Sequence, residues 1–280
     1  MTGSGAADGT RLGGTIAPVL RRDLKGAYTI WLRDVARFFR ERSRIGIALT
    51  QPVLYLLLLG TGVDATMADV AEGVGFRQFM FPGIVAAAVL FAAVGSAISV
   101  VWDRQIGFMK MVLVAPVSRP AIVLGKVAGG ASVATLQGTI ALAVGPFIGL
   151  VFGWREVAVL VGLMLLLGAV MTSLGLMIAA RQTSLEGFHL ALNVLLFPMF
   201  CLSGAFFRLD NLPTWMSVLS ALDPVTYAVD SMRGVALART VPPRVLQDIT
   251  LYSVTTNVTV LAALAIVFTV PAVWLFGRRD

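Results

Sequence analysis

Charge is scarce in this chain of 280 residues: Asp, Glu, Lys and Arg together make up 13% of it, while 58% is hydrophobic. A soluble domain typically carries about 25% charged and about 45–50% apolar residues, so the deficit argues against a soluble fold. Cysteine and histidine occur once each, as Cys201 and His189. One cysteine in an apolar run excludes a disulfide framework and a Cys/His metal cluster, and its simplest role is that of a small buried hydrophobe. No H-E-x-x-H is present, and His189 is expected at a membrane interface, so no catalytic or metal constellation is expected. A glycine-rich phosphate loop, G-x-x-x-x-G-K-[ST], is also missing, so this chain is not expected to bind ATP. The first twenty residues lack the apolar stretch of a removable leader, and the first membrane helix is expected to act as the targeting signal.

What the chain has in abundance is long apolar runs. Crossing a ~30 Å hydrocarbon core takes roughly 20 helical residues. The pattern predicts an all-α polytopic membrane protein with six transmembrane helices, at 46–63, 79–101, 121–151, 157–180, 189–207 and 251–276. Residues 1–20 are expected to be a disordered cytoplasmic terminus, 21–44 an amphipathic interfacial helix and 45–280 the membrane domain.

The net charge of +7 matters less than where the basic residues fall. With both termini inside, sixteen of the 22 lysines and arginines lie on the cytoplasmic side, leaving Arg77, Arg155, Arg208, Arg233, Arg239 and Arg244 outside. This bias sets the expected orientation, with both ends cytoplasmic in a bacterial inner membrane, and gives no reason to expect nucleic acid as a partner. Lys126, one turn inside the third span, is expected to snorkel to the interface.

Three stretches stand apart. Before the first span, Leu24, Tyr28, Trp31, Leu32, Val35, Phe38 and Phe39 form a helical apolar stripe with Lys25, Arg33, Arg37, Arg40 and Arg44 mostly off it. The pattern predicts an interfacial amphipathic helix in contact with membrane lipid. The cytoplasmic loop 103–119 is too apolar to be simply solvated. Phe108, Met109, Val112 and Leu113 would share one face of a short helix ending before Pro116. That face has to be buried against lipid headgroups or another protein. On the outside, two helices at about 213–222 and 225–238 are predicted to break at Asp223-Pro224. They are too short to span and are read as re-entrant, their backbone held within protein. There Asp230 and Arg233 lie one turn apart, placed either to pair or simply to hold the segment.

At these stretches the sequence resembles the ABC-2 type permeases, in particular the daunorubicin-resistance and nodulation-type branch. The matching residues are Arg104, Gly107, Leu113-Val114-Ala115-Pro116-Val117-Ser118-Arg119 and Leu124-Gly125-Lys126. Outside they are Ser203-Gly204-Ala205-Phe206-Phe207, Leu209-Asp210-Asn211-Leu212-Pro213 and Pro224-Val225-Thr226-Tyr227-Ala228-Val229-Asp230. The chain departs from the family pattern at Lys110 and Met111, where an acidic residue is common, and at Arg208, where proline is common.

The resemblance implies a permease subunit of an ATP-driven exporter that is not itself an enzyme. Two permeases, identical or related, would pair with two ATPase subunits that hold ATP and Mg. The 103–118 loop would be the coupling helix, with Arg104, Gly107, Phe108, Met109, Val112, Leu113 and Pro116 at the ATPase. Trp31, Val35, Phe38 and Phe39 would belong to the connecting helix, and Phe206, Phe207, Pro213, Pro224, Tyr227, Asp230 and Arg233 to the outer re-entrant segment.

Few buried charges suit an apolar or amphipathic cargo, such as a drug, an antibiotic or a lipid. The mild polarity of Gln51, Ser96, Ser99, Thr135, Gln137, Thr172, Ser173 and Asn193 offers hydrogen bonds along a path or between helices. The competing reading is an ATP-independent carrier or a membrane scaffold. A coupled carrier would usually place a carboxylate near the midplane, and the expected spans contain none.

Overall fold

The computed structural model describes residues 13–41, 46, 50, 53–60, 62, 70–71, 73–105, 118–182, 184–210 and 212–278. Ten named α-helices lie in this part of the chain: α1 (Gly13–Arg40), α2 (Phe76–Ser96), α3 (Ile98–Gln105), α4 (Arg119–Leu142), α5 (Trp154–Arg181), α6 (Leu185–Leu202), α7 (Thr214–Leu222), α8 (Pro224–Ala236), α9 (Pro243–Ile249) and α10 (Val254–Arg278). A π-helical turn occupies Leu56–Gly60 and a 3-10 turn Gly145–Ile148. Among the described residues there is no β-strand, only an isolated bridge between Ala71 and Val74.

Five segments are long and apolar enough to cross a bilayer: Phe76–Trp102, Arg119–Ile148, Trp154–Arg181, Leu185–Leu202 and Pro243–Leu275. They coincide with five of the six expected spans. The remaining one, 46–63, is helical where it is described, and the rest of it lies outside the described residues.

Local signals account for the boundaries. Ser118 caps α4 by accepting from the Ala121 amide at 3.4 Å, and Pro120 fits the first turn, where its missing N–H is not needed. Ser184 caps α6 through the Gly187 amide at 3.1 Å, so this helix starts before the expected residue 189. It also stops well before 207. Gly204 takes φ +74°, the left-handed conformation that glycine adopts without a steric penalty, and the chain turns away. Helix α9 was not expected. Pro243 stands in its first turn, where a proline's missing N–H is not needed.

The first helix begins at Gly13, ahead of the expected boundary at 21. Ile16, Leu20, Leu24 and Tyr28 continue the apolar spacing in four-residue steps, which suffices to extend it.

Helix α2 lies at the centre of the bundle, packed by α4, α5 and α8. Helix α4 touches α1, α2 and α5 because small residues face each neighbour: Gly125 lies against Ala27, Gly130 against Thr172 and Gly138 against Val89 and Met164. Without a hydrophobic drive between helices in lipid, such close backbone approach supplies the packing energy.

Candidate functional site: the α1–α4 contact and the α7–α8 hairpin

Two regions carry the residues singled out in the sequence. The first lies where α1 meets α4. This helix does not stand apart as a generic interfacial anchor; it runs alongside the first half of α4. The Ser118 amide donates to Asp23 Oδ1 at 2.9 Å, Trp31 Nε1 donates to Ser132 Oγ at 2.9 Å, and Gly125 admits the Ala27 backbone. Both the Ser118 side chain and its amide hold the Asp23 carboxyl below the usual carboxylate range. The apolar stripe divides accordingly. Phe38 is fully buried, Trp31 and Val35 are half-buried, and Leu24, Tyr28, Leu32 and Phe39 are exposed.

Lys126 corrects an expectation. Instead of snorkelling to the surface it is 7% exposed, with Nζ 3.3 Å from Asp34 Oδ2 and donating to Ser99 Oγ at 2.9 Å. Asp34 lies on the sequence stretch read as an interfacial face, so nothing in linear spacing linked it to a residue more than ninety positions away.

The coupling residues Gly107, Phe108, Met109, Val112, Leu113 and Pro116 lie outside the described residues, as do Lys110 and Met111. Arg104 falls in α3, the short helix that leads to them.

The second region is the hairpin of α7 and α8, which the sequence places on the outer side. Asp223 both ends α7 and caps α8, with Oδ1 accepting from the Val225 amide at 2.9 Å, so the expected break at Asp223-Pro224 is where the chain turns. Ser220 Oγ donates to the Leu202 carbonyl at 2.8 Å and ties α7 to the end of α6. Helix α8 is nearly all buried among α2, α5 and α10, whereas Trp215, Val218, Leu219 and Leu222 of α7 are exposed.

Asp230 and Arg233 do not pair; each reaches a different neighbour. The two oxygens of Asp230 accept from the Leu251 amide at 2.7 Å, the Tyr252 amide at 2.9 Å and Asn257 Nδ2 at 2.8 Å, holding the start of α10. Arg233 donates through Nε to the Phe79 carbonyl at 3.3 Å and through a terminal nitrogen to the Gly204 carbonyl at 2.6 Å. Its guanidinium also sits 3.8 Å from the Phe79 ring centroid. Burial lowers the Arg233 pKa to about 10, with the nearby Asp230 charge pulling it upward, so it remains cationic at neutral pH.

The other predicted outer residues gather here. Phe206 meets Phe200 edge-on at 4.9 Å, Phe207 is half-buried beside it in sequence, and Pro213 and Pro224 start α7 and α8. Tyr227 donates to the Ala221 carbonyl at 2.7 Å and stacks on Tyr252 at 5.8 Å. Arg208, where the family pattern is broken, pairs with Asp210 at 2.7 Å and donates to the Asp248 carbonyl at 2.6 Å.

Burial pushes the Asp223 carboxyl up to about 8, opposed by its bond from Val225, and Oδ2 has no hydrogen-bond partner. Between about pH 4 and about pH 8 the folded state therefore holds a proton that the unfolded chain gives up. The associated stability is full below that window and lost as pH rises through it. We expect the melting temperature of the purified protein in detergent to fall between about pH 4 and about pH 8, and Asp223→Asn, which keeps the cap, to flatten that dependence.

The hydroxyls considered for a translocation path are used mainly between and within helices. Ser96 and Thr135 donate to carbonyls of their own helices at 2.6 and 2.8 Å, Ser99 of α3 donates to the Ser96 carbonyl at the end of α2 at 2.9 Å, and Ser173 meets Thr269 at 2.8 Å. Thr172 Oγ1 lies 3.4 Å from the Ala93 carbonyl. Asn193 is exposed.

An all-helical bundle with several bilayer-length spans and charges buried at its ends defines a multi-pass membrane protein. Residues 26–237 match the family profile of the ABC-2 type transporter, which covers well over half of the sequence, and the chain belongs to that family. It is 28% identical over 193 residues to nodulation protein J of Rhizobium leguminosarum bv. viciae, covering 68% of this chain and 74% of that protein. It is 29% identical over 215 residues to the inner membrane transport permease YadH of Escherichia coli, covering 73% and 80%. The chain is thus the permease type of ABC transporter component.

Proposed function

We propose that this chain is the membrane subunit of an exporter in the inner membrane, driven by a separate ATPase, with six spans and both termini in the cytoplasm. One observation carries the reading: the chain belongs to a family of ATP-driven transporters while lacking the phosphate loop with which ATP would be held. The nucleotide and its Mg belong to the partner. Two ATPase subunits and a second permease, identical or related, would complete the assembly.

Arg104, Gly107, Phe108, Met109, Val112, Leu113 and Pro116 then form the coupling helix in the ATPase groove. Trp31, Val35, Phe38 and Phe39 belong to a connecting helix beside it, within the 21–44 segment that precedes the membrane domain of 45–280. On ATP closure the coupling helix moves as a lever and shifts spans two and three. The outer hairpin, a re-entrant segment in this reading, is carried by the guanidinium of Arg233 and the carboxylate of Asp230, and a path opens outward between the two permeases.

Among the described residues the buried charged side chains are Lys126, beside the half-buried Asp34, and Asp223, Asp230 and Arg233 of the α7–α8 hairpin, which suits an apolar or amphipathic cargo along the rest of the bundle. Everted vesicles containing this chain and its ATPase should take up lipophilic amines or fluorescent phospholipids only with ATP. Uptake without ATP would overturn the proposal.

A further inference from the structure

We propose that the groove between α1 and α4 is a binding site for one phospholipid with an anionic headgroup, its phosphate on Arg21 and Lys25 and an acyl chain along the groove. The inference concerns the chain by itself and goes beyond the transporter reading. Leu20, Leu24 and Tyr28 form one wall and Pro120, Leu124 and Ala128 the other, all of them exposed. Residues four apart share one face of a helix, and eight residues run about 12 Å. Between the walls Gly125 lies against Ala27 with no side chain to fill the space, and an open groove of about 660 Å³ remains.

The lining decides what fits. Asp23 and Ser118 are bonded to each other and Trp31 Nε1 donates to Ser132, so an occupant meets mostly apolar surface. One wall belongs to the bilayer-length segment Arg119–Ile148, which has 30 residues. As helix that is about 45 Å, more than the ~30 Å hydrocarbon core, so its ends reach the headgroup layer. The groove follows the first turns of that segment and therefore opens where acyl chains meet headgroups.

The charges are placed to match. Arg21 and Lys25 are exposed, and neither forms an ion pair among the described residues. Arg21 lies one turn from Leu24, and Lys25 one turn from Tyr28, so both border the α1 wall. Like charges four residues apart oppose each other, and an anion between them relieves the repulsion. Asp23, the one carboxylate in residues 20–25, is turned to the Ser118 amide instead. That bond also puts the cations at the end of the groove where the span begins, while the apolar walls run on toward Tyr28 and Ala128. A cationic mouth on an apolar trough at this depth has the polarity of a phospholipid, and basic pockets between helices at a membrane surface hold anionic headgroups. A soluble acidic partner would match the cations but not a wall formed by a bilayer-crossing helix.

The experiment is native mass spectrometry of the full chain released from nanodiscs of equal phosphatidylglycerol and phosphatidylcholine. The native chain should retain phosphatidylglycerol in preference by about tenfold or more. Arg21→Gln with Lys25→Gln should abolish the preference, and the swap Arg21→Lys with Lys25→Arg should keep it. Leu24→Asn with Leu124→Asn leaves the charges in place and should lower retention of either lipid by about tenfold. All of these replace exposed side chains, so the fold should hold. Glycerol phosphate in large excess should not displace the lipid. No preference in the native chain, a preference kept without the two charges, or retention unchanged by the asparagines would each overturn the proposal. Displacement by glycerol phosphate would overturn it too, since the site would then take an anion without a chain. In an assembly with an ATPase the lipid should stay bound; its loss there, together with weaker assembly of the asparagine variant, would show that a protein fills the groove instead. The other arms use the chain alone and decide the matter whether or not an ATPase assembles.

Discussion

Arg233→Met is expected to leave the permease unable to hold its outer hairpin. The guanidinium satisfies the carbonyls of Phe79 and Gly204 and lies over the Phe79 ring, in a place that is 5% exposed. Hydrogen bonds to charged groups contribute about 1.5–3 kcal/mol each, and a desolvated cation over a ring about 2 kcal/mol. Methionine fills much of the volume but leaves two buried carbonyls short of a donor. A net loss of about 3–5 kcal/mol is expected, a large part of an ordinary stability of about 5–15 kcal/mol. The melting temperature in detergent should fall by about 10 °C or more. Lysine at the same position keeps the charge but not the planar fork, so it can serve one carbonyl at a time and should give an intermediate result. A Met variant that melts like the native protein would remove Arg233 from its structural role.

Gly107→Pro is expected to separate ATP hydrolysis from transport. Proline fixes its own φ, removes an amide donor and drives the preceding residue out of the helical region. In a helix interior it costs about 3 kcal/mol or more, which is about two orders of magnitude in the population of a seated helix. In the proposed topology the position falls in a cytoplasmic loop, so insertion of the spans should be unaffected. The variant should reach the membrane at native levels and assemble with an ATPase that still turns over, while ATP-driven uptake into everted vesicles falls to background. Native transport by this variant would contradict the placement of the coupling helix.

The sequence carried much of the architecture because the membrane imposes a simple rule: a backbone in lipid has to satisfy itself, and apolar runs of the required length mark where it does so. Five runs coincide with bilayer-length helical segments. The break between α7 and α8 was equally legible, since Asp223-Pro224 is both a cap and a first-turn proline. The end of α6 at Gly204 was readable for a similar local reason.

Contacts between distant residues were not legible. Asp230 and Arg233, one turn apart, suggested each other, yet the backbone amides at 251 and 252 and the carbonyls at 79 and 204 hold them instead. A carbonyl or amide partner has no sequence signature, because every residue carries one. Lys126 gave the same difficulty: a lone lysine at a span end reads as snorkelling, and only folding brings Asp34 within 3.3 Å. The glycines of α4 were a usable signal that went unread, since Gly125 and Gly129, four residues apart, mark a face where another helix can approach closely.

The central claim is that this chain is moved by an ATPase it does not contain. Its most direct test is purification of the affinity-tagged chain from its own membranes in mild detergent, followed by identification and counting of the proteins retained. The account predicts a subunit carrying G-x-x-x-x-G-K-[ST] in equal number with the permease, whose ATP hydrolysis is altered by the chain's presence. A permease recovered without any such subunit, and still able to transport in its absence, would contradict it.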